Sequence, residues 1–445
     1  MATDGAPTGF RTGLRGLTTR GRSFLAAGVT AVLCSYLLGQ SALLQAGVLL
    51  AALPLLAAAL VLRTRYRVAG GRRLAPHRVP AGQEARVHLR VDNISRVPTG
   101  LLMLEDKVPY VLGPRPRFVL DRVEPHGYRE VSYRVRSDLR GRYPLGPLQL
   151  RLTDPFGMCE LTRSFSAADT LTVVPLVQPL PPVKLAGGWA GYGDSHSRAV
   201  ALAGDDDAVP REYRHGDDLR RVHWKSTAKY GELMVRREEQ PLKARATVLL
   251  DTREIGHRGA GPASSFEWAV NCAASVGHHL LERGYQTRLL TDNGTQVPPA
   301  LTGGHHSSVS ESIGLLLDEL AVVQHSSGGG LARAEEVLRH GGEGLLVAIV
   351  GALDDEQVAG LGRLRRSAGA AVAFVLDTAS WSSLRQSAPA GPDEGSQRRL
   401  RLLREAGWTV LAARAGDSVP DLWRMADVNA QAAAAAPGRK GTVSR

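Results

Sequence analysis

The chain has 445 residues, a net charge of +12, 43% hydrophobic and 22% charged residues, and three cysteines. That length leaves room for two or three domains whose cores need no staples. Cys34, Cys159 and Cys272 are too far apart for a zinc spacing or a disulfide framework. At 5% aromatic, with no stacking motif, the chain gives nucleic acid no reason to be the partner of the basic charge.

The first predicted elements are apolar. Phe24 to Leu62 runs 39 residues without a charge. A bilayer core of about 30 Å takes about 20 helical residues, so the run suits two crossings. The sequence predicts a hairpin over about 24–39 and 42–62, with the turn at Gly39 to Ser41 and Pro54 inside the second helix. Arg11, Arg15, Arg20 and Arg22 precede it, Arg63, Arg65, Arg67, Arg72 and Arg73 follow it, and the turn has none. Both ends are therefore expected on the cytoplasmic side of a plasma membrane, with 1–23 as a basic N-terminus. A cleaved signal peptide shares these features, but its apolar region is ordinarily much shorter.

From about 68 the periodicity is two. Val87, Leu89 and Val91 alternate with Arg86, His88 and Arg90, and Leu148, Leu150 and Leu152 with Gln149 and Arg151. Half-buried antiparallel strands read this way, and a β-sandwich over 63–180 is expected.

From about 244 apolar strands alternate with helices. The strands end at Asp251, Asp292, Val350, Asp377 and Ala413, and the pattern predicts a doubly wound α/β domain over 244–428. Ligands of such sheets sit at the carboxyl ends of the strands. Asp251, Asp292, Asp354 and Asp377 fall near those ends, where they serve either a hard divalent cation or the cap of the next helix. His278, His279, His305 and His306 have no partners at ligand spacing and are read as solvated. Residues 429–445 are expected to form a disordered basic tail.

Between the two domains, 181–243, lies the charged stretch "REYRHGDDLRRVHWKSTAKYGELMVRREEQ". Its thirty residues hold eight Lys or Arg, six Asp or Glu and two His. It predicts a turn, an N-cap at Asp217 or Asp218, a short helix stopped by Gly231, and a strand resuming at "ELMVRRE". Three functions compete for it. His223 with Asp217, Asp218 or Glu212 would make a general base and its orienting carboxylate. Yet no nucleophile elbow or "HExxH" accompanies it, and "KST" at Lys225 to Thr227 lacks a glycine-rich loop. A salt-bridged brace is the structural reading, and a docking surface the third.

This stretch, preceded by "DPFGMCELTRSFSAADTLTVVPL" at Asp154 to Leu180, resembles the signature of the bacterial family called domain of unknown function 58. The resemblance implies a von Willebrand factor A-like C-terminal part. It also implies a role beside a MoxR-type AAA ATPase and a transglutaminase-like membrane protein, with no enzymatic activity. Carried over, the docking motif is Arg211, Glu212, Tyr213, Arg214, Gly216, Asp217, Asp218, Arg220, Arg221, His223, Trp224, Lys225 and Gly231. The adhesion-site motif of von Willebrand A domains begins Asp-x-Ser-x-Ser, and here Asp251, Thr252, Arg253, Glu254 and Ile255 stand in its place. Arg253 and Ile255 replace both hydroxyls. The carry-over stops at Asp251, with Asp354 as a second-loop carboxylate, so the expectation is no cofactor, with Mg²⁺ as the alternative at a degenerate site.

The resulting expectation is a membrane-anchored cytoplasmic adaptor of the ATPase in envelope assembly or maturation. A membrane-anchored metal-dependent hydrolase using Asp251 or His223, and a structural envelope protein without an ATPase, are the alternatives.

Overall fold

The computed structural model describes residues 16–65, 68–96, 98–99, 101–154, 156–183, 210–213, 222, 224–236, 245–297, 308–339, 344–382 and 394–435. The chain forms two compact units, 1–174 and 175–445, so the break falls before the expected boundary at Leu180.

The first unit opens with helices α1 (Thr19–Leu38) and α2 (Ser41–Arg65), both long and apolar enough to cross a membrane. α1 starts earlier than the expected 24, and α2 runs past the expected 62. The Thr18 side chain caps α1 by accepting from Gly21 N, so the helix runs through Arg20 and Arg22 before the uncharged segment starts. Gly39, at φ 65°, ends α1 in the left-handed conformation that glycine takes at no steric cost. The helices meet along small residues. A Cβ on Gly28 would lie 2.6 Å from Ala51 N, and one on Gly47 would lie 2.8 Å from Val32 N, so glycine is what lets the backbones close.

Ten strands follow: β1 (Val68–Ala75), β2 (Arg78–Pro80), β3 (Glu84–Asn93), β4 (Leu102–Asp106), β5 (Arg117–Leu120), β6 (Tyr128–Arg136), β7 (Gly141–Leu145), β8 (Leu148–Thr153), β9 (Glu160–Phe165) and β10 (Asp169–Val174). They make three sheets, ordered β1-β3-β6, β2-β10-β7 and β5-β4-β8-β9. The period-two pattern holds: Ala85, Val87, Leu89 and Val91 of β3 are buried, as are Leu148, Leu150 and Leu152 of β8. One core takes residues from all three sheets and from Ala57 and Ala58 of α2. A buried polar triad sits in this unit. Arg72 donates from both Nε (3.0 Å) and Nη2 to Asp106, and the Tyr133 hydroxyl donates to the same carboxylate at 2.6 Å. Burial first, then that bond, pushes the Tyr133 pKa upward.

The second unit is built on a six-stranded sheet of β13 (Arg245–Leu250), β14 (Gln286–Thr291), β15 (Gln296–Val297), β16 (Leu345–Val350), β17 (Ala370–Leu376) and β18 (Thr409–Ala413). Its order is β15-β14-β13-β16-β17-β18; five strands are parallel and the edge strand β15 is antiparallel. The intervening helices are α4 (Ser265–Glu282), α5 (Val309–Leu320), α6 (Ala332–Arg339), α7 (Asp355–Arg365), α8 (Glu394–Glu405) and α9 (Val419–Ala435). Two apolar cores flank the sheet, as near-continuously apolar strands require. Residues 175–183 join this unit: Leu176 N donates to Asn271, Gln178 N to Ser275, and Trp423 Nε1 to the carbonyl of Pro181.

Helix α9 runs to Ala435, where the sequence predicted a disordered tail from 429. The alanine run 432–436 has the highest helix propensity and extends the helix it follows. The tail from 436 lies outside the described residues.

Candidate functional site

The strand order reverses between β13 and β16, and the carboxyl ends of these two strands form the crevice where doubly wound sheets take ligands. β13 delivers Asp251, Thr252 and Arg253 there. A turn over Glu254–Gly256 then folds back across the end of β16, with Ala352 N donating to Gly256 O at 2.8 Å. The approach demands glycine: a Cβ on Gly351 would lie 2.0 Å from Gly256 O.

The crevice is filled from within. Arg253 is 1% exposed and Asp251 0%. Asp251 Oδ1 accepts from the backbone N (3.1 Å) and Nε (2.9 Å) of Arg253, and Oδ2 accepts from Arg253 Nη2 (2.8 Å) and Gly351 N (3.0 Å). A carboxylate offers about four acceptor positions, and all are used. The guanidinium also donates to the carbonyls of Ala352 and Gly329. Burial alone would lower the Arg253 pKa, but the bond to Asp251 and the charges of Asp251, Asp292 and Asp354 outweigh it, so the pKa is raised and the side chain stays charged.

The other carboxylates are engaged too. Asp292, at the end of β14, accepts from Thr252 N (2.9 Å), Thr252 Oγ1 and Ser326 Oγ (2.6 Å). Asp354 caps α7: it accepts from Gln357 N at 2.8 Å while the Gln357 side chain accepts from Asp354 N. Of the two readings open to Asp354, the helix cap describes its geometry. Asp251 and Asp354 do not fit a divalent cation, because a guanidinium lies on the first and a helix N-terminus on the second. Among the described residues no group of three His, Cys, Asp or Glu stands at metal-ligating distances.

Beside the pair is a cleft of about 270 Å³ lined by Glu254, His257, Arg258, Ser264, Phe266 and His325. His257 is buried, with Nε2 2.8 Å from the Asp251 carbonyl and Nδ1 3.2 Å from Ser265 Oγ. Ser265 Oγ already accepts from Arg258 N, so its proton goes to Nδ1, and Nε2 donates to the carbonyl. Burial lowers the His257 pKa, and the neutral ring is the one this arrangement accommodates. The His325 and Phe266 rings stack at 3.9 Å. Sequence reasoning had no signal for His257, Ser265 or His325, because they are brought together by the fold and not by spacing.

The charged stretch appears in part. Strands β11 (Pro210–Glu212) and β12 (Met234–Arg236) pair antiparallel, with Arg211 opposite Val235, and Tyr213 N donates to Leu233 O. Helix α3 (Trp224–Tyr230) lies between them and is stopped by Gly231 at φ 77°. Val222 forms a β-bridge and is buried, and the described helix starts at Trp224; the expected cap at Asp217 or Asp218 lies outside the described residues. Met234 N donates to Thr227 Oγ1, tying the strand to the helix. Trp224 is 70% exposed, and Tyr230 and Lys225 are exposed as well. Arg214, Gly216, Asp217, Asp218, Arg220, Arg221 and His223 lie outside the described residues, as do His305 and His306. The cysteines are free; burial and the Asp154 charge push the Cys159 thiol up to about 11, and burial raises Cys272 well above its ordinary value.

Residues 209–372 match the family model described as "Protein of unknown function DUF58". A relative from Bacillus subtilis, "Uncharacterized protein YeaD", is 27% identical over 158 residues, which span 35% of this chain and 37% of the relative's own length. Among solved structures, the CARDB domain of the PF1109 protein from Pyrococcus furiosus covers 24% of this chain and 87% of its own at 10% identity, with a TM-score of 0.18. Spo0M, a sporulation control protein from Bacillus subtilis, covers 24% of this chain and 49% of its own at 11% identity, with a TM-score of 0.16. Scores this low carry no weight for the fold. The paired strands at Arg211 and Met234, helix α3 and the Asp251–Arg253 crevice all lie within the matched segment, which belongs to the DUF58 family.

Proposed function

We propose that the chain is a membrane-anchored docking protein that works with a MoxR-type AAA ATPase, beside a transglutaminase-like membrane protein, in envelope assembly or maturation. On this reading α1 and α2 cross the membrane with both ends in the cytoplasm, where the flanking arginines are retained. The three sheets of the first unit act as a β-sandwich. The second unit acts as a von Willebrand factor A-like domain: counted from β13, its strand order is 3-2-1-4-5-6 with the third strand antiparallel.

The observation that carries the docking reading is the closed crevice. Where such a sheet would bind a ligand, Asp251 is saturated by Arg253 and Gly351, and Asp292 is held by Thr252 and Ser326. A hydrolase using Asp251 would first have to break that pair. What the family segment offers to a partner instead is the exposed Trp224 on α3, an aromatic of the kind that anchors protein interfaces.

The test is a photoreactive residue at Tyr213 or Trp224 in native membranes, with mass spectrometry of what is captured. An ATPase subunit in the adduct supports docking. Crosslinks confined to the chain itself would overturn it. Charge reversal at Asp217, Asp218, Arg220 and Arg221 should abolish capture.

A further inference from the structure

We infer that the end of the β-rich unit next to the helical hairpin is a second membrane contact, seated in the headgroup layer of an anionic bilayer. The inference rests on the reading of α1 and α2 as membrane-embedded.

Chain topology identifies this end. Residues 66 and 67 alone separate α2 from β1, so β1 starts there. The register places Asn93, the end of β3, opposite Val68, and Tyr128, the start of β6, opposite Asp92. The β8–β9 turn is bonded to the start of α1: Thr18 N donates to Met158 O (2.9 Å), Thr18 Oγ1 to Gly157 O (2.7 Å), and Glu160 N to Gly16 O (2.8 Å). The start of β4 lies beside that turn, because Leu102 pairs with Leu152.

These same loops carry apolar side chains that the core does not use. Ile94 follows β3, Leu101 precedes β4, Tyr128 opens β6 and Phe156 sits on the β8–β9 turn, and each is more than half exposed. The Phe156 position is built, since Asp154 is buried and accepts from the Phe156 and Cys159 N–H groups. Exposed arginines accompany them: Arg96 and Arg122 on the loops and Arg129 at the start of β6, with Arg20 and Arg22 at the start of α1. Against these stand the exposed acids Asp121 and Glu124.

Aromatic and aliphatic side chains interleaved with arginine, continuous with two apolar helices, match a headgroup and acyl boundary of negative charge. Such a contact would fix the β-rich unit on the bilayer surface and not leave it swinging from the hairpin.

The test uses the full chain in nanodiscs containing phosphatidylglycerol, with 4-trifluoromethylphenylalanine in place of Phe156 or Tyr128. Leu33, exposed in the C-terminal half of α1, reports on the span, and Tyr110, exposed after the far end of β4, is the control for the opposite end. Nitroxide lipids labelled in the headgroup, or separately at mid-chain, attenuate the fluorine signals of nearby sites. The expected result is loss of signal at 156 and 128 with the headgroup label, loss at 33 with the mid-chain label, and neither at 110. Full signal at 156 and 128 while 33 is attenuated would overturn the contact and give this face to a protein. Full signal at 33 as well would overturn the membrane reading and this inference with it.

Discussion

Arg253 and Asp251 are two residues apart in sequence and form a closed ion pair at the switch point of the sheet, with Nε 2.9 Å from Oδ1 and Nη2 2.8 Å from Oδ2. The short spacing bends the guanidinium back onto the strand end from which it left. It occupies the place in which a divalent cation would need the carboxylate.

Removing one partner of this pair should be costly. Arg253→Met leaves the Asp251 carboxylate buried without its counter-charge, and breaking such a pair costs about 3–5 kcal/mol. The combination of Arg253→Met with Asp251→Leu should be less destabilised than the sum of the single changes, because the second change removes the uncompensated charge. Urea unfolding of the four proteins measures both. Added Mg²⁺ should leave the stability of the parent chain unchanged, and a Mg²⁺-dependent rise would contradict the saturation of Asp251.

The pair was half legible. Asp251 at a strand end and Arg253 at a hydroxyl position are visible in "LLDTREIG", and the obstruction of a cation follows from them. That the arginine is buried and supplied with the carbonyls of Ala352 and Gly329 is not visible, because those groups arrive from distant loops. The parallel strands were readable for the opposite reason: Leu345–Val350 and Ala370–Leu376 are buried on both faces, so their apolar character is local and continuous. The edge strand Gln296–Val297 left no trace, being two residues long. The uncharged run places the start of α1 at about 24, but the Thr18 cap starts the helix at Thr19, because a capping side chain and not the last charge sets a helix end.

His257 makes the second unit acid-sensitive. Burial holds its folded pKa below the ordinary value of about 6.5. The unfolded chain therefore binds the proton first, so stability is full above about pH 6.5 and falls as pH drops toward the folded pKa. His279, also lowered by burial first and then by Arg283, acts in the same direction. Denaturant midpoints measured from pH 8 down to pH 5 should decline, and His257→Asn should flatten part of that decline. An equal slope in the variant would remove His257 from the account.

The hairpin depends on the absence of side chains at its crossing. Gly28→Val would press a Cβ to within 2.6 Å of Ala51 N, against backbone that cannot yield cheaply. A cost of about 1–3 kcal/mol is expected from such overpacking. Gly39→Ala at the helix end meets nothing within 4 Å. Its cost comes from the left-handed backbone alone, about 1 kcal/mol. Unfolding titrations in detergent rank the two, and a larger effect at Gly39 would place the hairpin's stability in its turn and not in its crossing.

Trp224 separates docking from bracing. At 70% exposure its ring contributes little to the fold, so Trp224→Ala should change unfolding stability by less than about 0.5 kcal/mol. A docking role predicts a different size of effect on the partner, since a buried aromatic anchor is commonly worth more than about 1 kcal/mol of binding. The two numbers come from denaturation of the purified chain and from titration of whatever partner is captured at Trp224 onto membranes carrying parent or variant. A loss of partner affinity with stability intact assigns the motif to an interface. A loss of stability with affinity intact would make the charged stretch a brace, because the tryptophan would then be serving the chain that carries it.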